Sequence, residues 1–362
     1  MPTMRLPESL ISKLNHTKAV EDDISAIKIE NCVGFSRVPL GIAGPLRVDG
    51  SNGTSGSFYG PLATCEATLV ASCSRGCKAL NLCGGVKFKV LHESMSRAPA
   101  FWFPGTDEAV AFAALIPELE CLFRKDSEST SKHVRLQRLT PQINMVSIAT
   151  QYVCDNFMKS PRAQEMQLQR VTIENQMTSD KKLSWGNIMR TRGMRVLVWG
   201  SITDAVSRRV LGCSTEEIYQ FILNSKEGAA MNGQLGYSAN PSNVIAAMFI
   251  ACGQDAASVA EASWSQLTAE YDQHTKTLRL TSYFPSLPVG TVGGGTSYPT
   301  QKECLEMLSC TGPGTKQRLA GLIASFSLAL DISTIAAVSN GTFSKSHQRF
   351  ARTDKKGAQA ML

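Results

Sequence analysis

The sequence predicts an α+β protein in which a small domain is inserted into a larger, mostly helical one. Its 362 residues suffice for two domains, and 43% hydrophobic with 19% charged residues is typical of a globular chain. Short strand-like and helix-like patterns alternate over 99–173 and predict a β-α-β-α-β unit, whereas a long apolar helix is expected over Thr315–Ser339. We therefore expect the large domain to comprise 1–98 and 174–362, and the inserted domain 99–173.

The first part of the large domain is organised around a helix within Gly60–Gly85. Thr64 is a candidate N-cap, which would place Glu66 in the first turn, and the glycines at the end favour helix termination. The residues that recur at helical spacing and predict one buried stripe are Val70, Cys73, Cys77 and Leu80.

Strands and further helices follow from the same periodicities. Around the first helix we expect a hairpin of Leu46–Val48 with Ser57–Tyr59 and a strand at Val86–Val90. The inserted domain is predicted to contain a strand at Phe101–Phe103, a helix at Asp107–Lys125, a strand at Val134–Leu139, a helix at Asn144–Met158 and a strand at Glu165–Ile173. The large domain then continues with a strand at Arg195–Ile202, a helix at Thr215–Lys226 and a strand at Leu278–Tyr283.

The charge and the cysteine content restrict the class of protein. The net charge is +7, with a basic tail containing Lys345, Arg349, Arg352, Lys355 and Lys356. Such a tail is most often simply exposed to solvent. A more specific interpretation is that it binds a polyphosphate-bearing ligand, and binding of nucleic acid is a weak third. The eleven cysteines form no CxxC pair, which favours reduced core thiols in a cytoplasmic protein and no metal site. The N-terminus resembles no signal peptide, and the apolar run Leu319–Leu330 is too short to span a bilayer.

Two charged positions stand out as candidate site residues. For Glu66 the default interpretation is a carboxylate that complements the helix dipole, although a Gly-Pro loop before it and a small-residue helix after it suit a site mouth. The run Asp180–Lys182 is usually a solvated turn. It follows a strand at a domain junction, however, where a lysine beside an acid can stabilise an oxyanion.

Two other polar residues have equally open interpretations. Asp255 interrupts an apolar stretch, so it is either buried beside a cation such as Lys181 or the cap of the next helix. His347 is a surface residue by default and a general acid as the sharper alternative. The loop VGTVGGGT lacks the spacing of a dinucleotide-binding fingerprint, and its consecutive glycines more often permit the close approach of another backbone.

Six motifs taken together resemble a known family. GPLATCEATLVASCSRGCKA, ESMSRAP, SDKK, ACGQDAA, PVGTVGGGT and KSH occur in the order and approximate spacing of the catalytic portion of 3-hydroxy-3-methylglutaryl-coenzyme A (HMG-CoA) reductases. The chain looks most like the eukaryotic class in a fungal-style version, over about Glu30–Thr353. Each motif alone is weak, but six in order are specific.

The resemblance implies a two-step reduction of the HMG-CoA thioester to mevalonate with NADPH, through a hemithioacetal and an aldehyde. It makes Glu66 the proton donor, Lys181 the oxyanion-stabilising cation, Asp255 the residue that sets the charge state of that pair, and His347 the acid that protonates the departing thiolate. The implied substrate-binding residues are Arg75, Arg97, Lys182 and Asn243, and the implied cofactor-binding residues are Ser131, Lys132 and Asn144.

The resemblance also implies a substrate-holding large domain, a ferredoxin-like small domain for NADPH, and a homodimer or tetramer with no nucleic-acid partner. This chain departs from the family between Leu139 and Asn144, where a strand and the cofactor loop are shortened, so the small domain should be incomplete. A degenerate homologue that binds coenzyme A thioesters or only dimerises is the alternative. An unrelated dehydrogenase is disfavoured because the dinucleotide fingerprint is missing.

Overall fold

The computed structural model describes residues 35–130, 135–137, 139, 147–174, 176 and 180–344, together with the isolated positions 7, 9, 12, 27, 29, 30 and 32. The chain divides into two compact units. The large unit comprises Met1–His92 and Met194–Leu362, and the small unit comprises Glu93–Gly193.

Strands and helices are interspersed along the described part of the chain. The strands are β1 (Leu40–Gly50), β2 (Thr54–Ala63), β3 (Val86–Ser94), β4 (Ala100–Trp102), β5 (Arg170–Thr172), β6 (Gly193–Thr203), β7 (Gln266–Asp272) and β8 (Thr277–Leu287). The helices are α1 (Leu69–Asn81), α2 (Thr106–Ser129), α3 (Ser147–Met158), α4 (Pro161–Glu165), α5 (Trp185–Met189), α6 (Asp204–Val206), α7 (Thr215–Met231), α8 (Pro241–Ala251), α9 (Val259–Ala262), α10 (Pro299–Met307) and α11 (Lys316–Ser339).

The large unit is built on a six-stranded sheet in the order β2-β1-β3-β6-β8-β7. β1 and β2 form an antiparallel hairpin with Leu46 opposite Phe58, which confirms the predicted hairpin. β1 is parallel to β3, and β8 is antiparallel to both β6 and β7. The prediction of a mostly helical large domain identified several of these strands but not the sheet that joins them.

Helix α11 is the central element of the large unit. It agrees with the predicted helix, and residues from Leu319 to Ala337 along it are buried. Gly76 lets α1 approach it closely, since a Cβ there would lie 1.7 Å from the carbonyl oxygen of Ala329. By length and composition alone, α11 could cross a membrane, contrary to the sequence estimate. The most apolar part of the helix is however 89% buried within the protein, which is typical of a core helix.

The small unit has its own aromatic core and a two-stranded antiparallel sheet of β4 and β5, with Phe101 opposite Val171. Helices α2 and α3 contribute most of the core. The phenylalanine rings in mutual contact are those of Phe101, Phe103, Phe112, Phe123 and Phe157.

One strand prediction in the small unit is confirmed only in part, and another is wrong. The first is Glu165–Ile173, of which Arg170–Thr172 alone is a strand. Ser160 accepts a hydrogen bond from the Ala163 N–H at 3.2 Å and begins α4, which takes up the start of that segment. The second is Val134–Leu139, in which residues 135–137 form no strand. Here Arg124 donates to the carbonyl of Leu136, so a side chain takes the place of a neighbouring strand.

Candidate active site

Glu66 lies in the loop between β2 and α1 and is exposed. This corrects the prediction that it occupies the first helical turn, because α1 begins only at Leu69, after Thr68 with φ of 79°. The hydroxyl of Thr64 accepts the N–H of Glu66 at 3.0 Å, so Thr64 shapes the loop before the helix and does not cap the helix. The predicted stripe is confirmed: Cys73, Cys77 and Leu80 are fully buried and Val70 packs against the core.

Asn243 holds the carboxylate of Glu66. Its Nδ2 donates to Oε2 of Glu66 at 2.7 Å across 177 positions of sequence. Asn243 lies in the first turn of α8, which Asn240 precedes as N-cap and Pro241 begins. The family resemblance implies separate roles for these two residues, whereas the structure makes them one hydrogen-bonded pair.

Arg75 points from α1 to the buried helix α11. Its Nε donates to Oγ of Ser333 at 2.9 Å, and its Nη2 donates to the Ser333 carbonyl at 2.6 Å. Oγ of Ser72 lies 2.9 Å from the same Ser333 hydroxyl. Burial lowers the pKa of the Arg75 guanidinium, although the group stays charged. Arg75 therefore joins α1 to α11, and its substrate-binding role stays a prediction.

Asp331 is a fully buried carboxyl group that the sequence analysis did not select. Its Oδ1 accepts the N–H of Asn240 at 2.7 Å, and the N–H of Ala239 bonds the same carboxyl. Oδ2 has no hydrogen-bond partner among the described residues. Burial raises the pKa of Asp331 to about 7. A carboxylate in the middle of an otherwise apolar helix was the signal that could have identified it.

Asp255 is exposed and caps the single turn Ala256–Ser258. It accepts the Ala257 N–H at 3.1 Å and the Ser258 hydroxyl at 3.3 Å. This confirms the cap interpretation. The alternative, a buried aspartate, is wrong, because the apolar helix α8 ends at Ala251 and the chain then turns to the surface.

The turn before Asp255 is bonded to the glycine loop. Gln254 donates through Nε2 to the Gly290 carbonyl at 2.9 Å and accepts the Gly290 N–H at 2.8 Å. Gly253 has φ of 65°, and a Cβ there would lie 2.3 Å from the carbonyl oxygen of Gly295. Of the consecutive glycines, Gly295 permits this close approach, since a Cβ there would lie 2.9 Å from the Gly253 carbonyl oxygen, as the sequence predicted.

In the small unit, the Asp180–Lys182 turn is held by two arginines. The carboxylate of Asp180 lies 3.2 Å from Nη1 of Arg97 and 2.5 Å from Nη2 of Arg192. Lys181 adopts a left-handed backbone with φ of 59°, and Nζ of Lys182 donates to the Asp180 carbonyl at 3.3 Å. Both lysines are exposed but Asp180 is half-buried, so this is a fixed turn and not a simple solvated one. Arg97, expected at the substrate, is used at least in part to pair with Asp180.

Four of the selected residues lie outside the residues that the structure describes. They are the catalytic candidate His347 and the three cofactor candidates Ser131, Lys132 and Asn144. Their roles stay predictions.

Comparison with known proteins finds matches to one enzyme family over most of the chain. A family model described as hydroxymethylglutaryl-coenzyme A reductase matches residues 4–144 and 142–352. The Methanocaldococcus jannaschii enzyme named 3-hydroxy-3-methylglutaryl-coenzyme A reductase is 32% identical over 357 residues, which cover 92% of this chain and 87% of that protein. The Haloferax volcanii enzyme of the same name is 34% identical over 90% of this chain and 85% of its own length. The maize enzyme of that name is 32% identical over 89% of this chain and 59% of the maize protein.

Solved structures match in fold. A Streptococcus pneumoniae 3-hydroxy-3-methylglutaryl-coenzyme A reductase has a TM-score of 0.67 at 17% identity, covering 92% of this chain and 93% of that one. The class II enzyme from the same organism, bound to NADPH in open conformations, has a TM-score of 0.68 at 16% identity with the same coverage.

Proposed function

The chain belongs to the hydroxymethylglutaryl-coenzyme A reductase family, and we therefore propose that it reduces HMG-CoA to mevalonate and coenzyme A with NADPH. The observation that carries this proposal is the family match over nearly the whole chain, with relatives of that name aligned along 85–87% of their length. The described geometry supports it, because Glu66, the expected proton donor, is held in a defined orientation by Asn243.

Glu66 would hold and release the proton that each reduction step needs. Reduction of a carbonyl places a proton on the oxygen, so the donor must point in a fixed direction near that atom. The bond from Asn243 restrains Oε2 of Glu66, which leaves the other carboxylate oxygen to face a reacting group. This supports a shared role for the two residues, one as acid and the other as its orienting partner.

Lys181 would stabilise the negative charge that develops on the carbonyl oxygen. A cation already fixed in place stabilises such charge more than a mobile one, because no reorganisation is needed during the reaction. The two arginines on Asp180 fix the turn that carries Lys181. Convergence of Lys181 with Glu66 and Asp255, and protonation of the thiolate by His347, are further parts of this proposal.

The cofactor proposal concerns the small unit. When bound, NADPH supplies the hydride for both reductions. Ser131, Lys132 and Asn144 would hold it, and the described residues around them suit a phosphate group: Arg135 is exposed, and the first turn of α3 contains no acidic residue. The two segments of the family match meet at residues 142–144, the position of the shortened loop. We propose that this region is an incomplete ferredoxin-like domain with weakened NADPH affinity.

Several finer points belong to the same proposal. We propose that the large unit holds the substrate through Arg75 and Asn243, and that Arg97 and Lys182 contribute from the small unit. A homodimer or tetramer in the cytoplasm is expected from the family resemblance and the sequence. The alternative, a degenerate homologue without catalysis, is not favoured, because relatives that align along almost their whole length bear the name of the enzyme.

The test is a direct assay of the full chain. Purified protein is incubated with HMG-CoA and NADPH, and NADPH oxidation and mevalonate are measured together. We expect two NADPH oxidised per mevalonate formed, and loss of both signals in Glu66→Gln. Binding of HMG-CoA without any NADPH oxidation, at NADPH concentrations high enough to offset a weak site, would identify the degenerate homologue instead.

A further inference from the structure

One buried turn of α11 is bonded to both elements that frame Glu66. Asp331 in this turn accepts the N–H groups of Ala239 and Asn240, which immediately precede α8. Asn240 is the N-cap of α8, and Asn243 in the first turn of that helix donates to Glu66. The Asn240 N–H that Asp331 accepts therefore lies three residues before Asn243, the residue that orients the expected proton donor.

The same turn of α11 also holds α1. Ser333, two residues after Asp331, bonds Arg75 through both its hydroxyl and its carbonyl, and its hydroxyl contacts that of Ser72. α1 begins three residues after Glu66. Asp331 thus bonds the start of the helix that carries Asn243, and Ser333 bonds α1, the helix that follows Glu66.

The burial of Asp331 is costly for the fold. A carboxyl group with no accessible surface and one oxygen without a described partner is unfavourable relative to an apolar residue of similar size. The raised pKa agrees with this cost, and Oδ1 can accept the Asn240 N–H whether the group is charged or neutral. The useful property of Asp331 is therefore its acceptor oxygen, directed at the start of α8.

We propose that Asp331 is a positioning residue for the Asn243–Glu66 pair: it fixes the backbone at Ala239 and Asn240 and thereby sets where the Asn243 amide meets the Glu66 carboxylate. Its effect on catalysis rests on the proposed reductase function. Its effect on the start of α8 does not, and this separates the two in an experiment.

The test compares three substitutions at Asp331. Asp331→Asn keeps an acceptor oxygen and removes the charge, Asp331→Ala removes the acceptor, and Asp331→Val removes the acceptor while filling the space. A misplacement of catalytic groups by about 1 Å can cost ~10²-fold in rate, so we expect kcat to fall ~10–100-fold in the alanine and valine variants. The KM for HMG-CoA should change less, and Asp331→Asn should retain a kcat within ~3-fold of wild type on the same reasoning.

A double substitution tests whether Asp331 acts through Asn243. In the background of Asn243→Ala, the further change Asp331→Ala should lower kcat little, because the residue that it positions is already absent. Ser327→Ala is the matched control: Ser327 is buried in α11 and donates within that helix to the Ile323 carbonyl at 2.8 Å. This variant should leave kcat unchanged.

Hydrogen–deuterium exchange of the backbone supplies a readout that needs no activity. The amides of Ala239 and Asn240 should lose protection in Asp331→Ala and Asp331→Val and keep it in Asp331→Asn. The proposal is overturned if both acceptor-free variants keep wild-type kcat, or if Asp331→Asn is as impaired as Asp331→Ala. If no variant and no wild-type protein oxidises NADPH, the reductase proposal fails, and unchanged protection at 239–240 would separately overturn the positioning proposal.

Discussion

The two units hold their expected catalytic residues by different physical means. In the large unit, Glu66 is oriented by the amide of Asn243. The start of the helix that carries Asn243 is bonded to the buried carboxyl group of Asp331. In the small unit, the turn of Lys181 is held by ion pairs of Asp180 with arginines, and Asp180 is partly exposed. The Asn243–Glu66 bond is exposed, but its donor is a neutral amide and the Asp331 carboxyl behind it is buried, so neither contact is an ion pair. The partly exposed ion pairs of Asp180, by contrast, are screened by salt. The surroundings of the expected acid and of the expected cation should therefore respond differently to salt.

The largest expected effect is on the cation itself. Lys181→Ala should lower kcat by ~10²–10³, as loss of one preorganised electrostatic donor does in other enzymes, while HMG-CoA affinity changes much less. Lys159→Ala, which alters another exposed lysine of the small unit, is the control and should leave kcat unchanged. Steady-state kinetics with both variants checks this, and a fully active Lys181→Ala protein would remove Lys181 from the mechanism.

The next effect concerns pH and the large unit. Because the pKa of Asp331 is about 7 in the folded protein and ~3.9 when unfolded, the folded state binds the extra proton between these values. The free energy of unfolding should therefore fall as pH rises from about 4 to about 7, by ~2–4 kcal/mol from this group, and stay level above. Urea unfolding of wild type and Asp331→Asn across this range measures the difference, which should vanish at low pH and favour the variant at pH ~8. A pH-independent difference would contradict the assignment.

A smaller effect is expected from the turn before Asp255. Gln254→Ala removes the two-way bond to Gly290 and leaves that peptide group to find other partners, so the large unit should lose ~1–3 kcal/mol of stability. The catalytic rate should also fall if the turn positions Asp255. Because the lost bonds are not ionic, we expect the same loss at low and high salt. Denaturation at two salt concentrations would reveal a contrary, salt-dependent loss.

The smallest effect is expected from the ion pairs of Asp180 in the small unit. Asp180→Asn removes the charge that both arginines contact, and the small unit should lose ~1–2 kcal/mol at low ionic strength and less in high salt. In wild type, kcat or the KM for HMG-CoA should change between low and high salt, because salt screens these ion pairs. In Asp180→Asn it should not change. If wild type and Asp180→Asn respond equally to salt, the ion pairs do not hold the turn.

Sequence periodicity predicted the elements that are decided locally. The β1–β2 hairpin and α11 both follow from patterns that involve only near neighbours, and the stripe of α1 does so too. The position of Glu66 was wrong by one turn because Thr68 adopts a left-handed backbone that its residue type does not favour. The strand predicted over Val134–Leu139 failed where Arg124, a distant side chain, takes the Leu136 carbonyl.

For the candidate site, the sequence predicted which residues take part but not which of them contact one another. The motif resemblance identified Glu66 and Asn243, but their bond joins positions 177 residues apart, which no local pattern encodes. Asp331 was passed over for a related reason. It ended an apolar run in the sequence, and only the packing of α8 against α11 shows what its carboxyl accepts.

The burial of α11 has a consequence for how the chain is made. Residues 316–339 complete the core of the large unit, so β1, β2 and α1 leave the ribosome long before the helix that covers them exists. The small unit, by contrast, has all of its elements within 93–193 and can fold while synthesis continues. During translation the early strands would display apolar surface that a chaperone must shield. A nascent chain interrupted before Lys316 would be left with that surface permanently open and would be prone to aggregation.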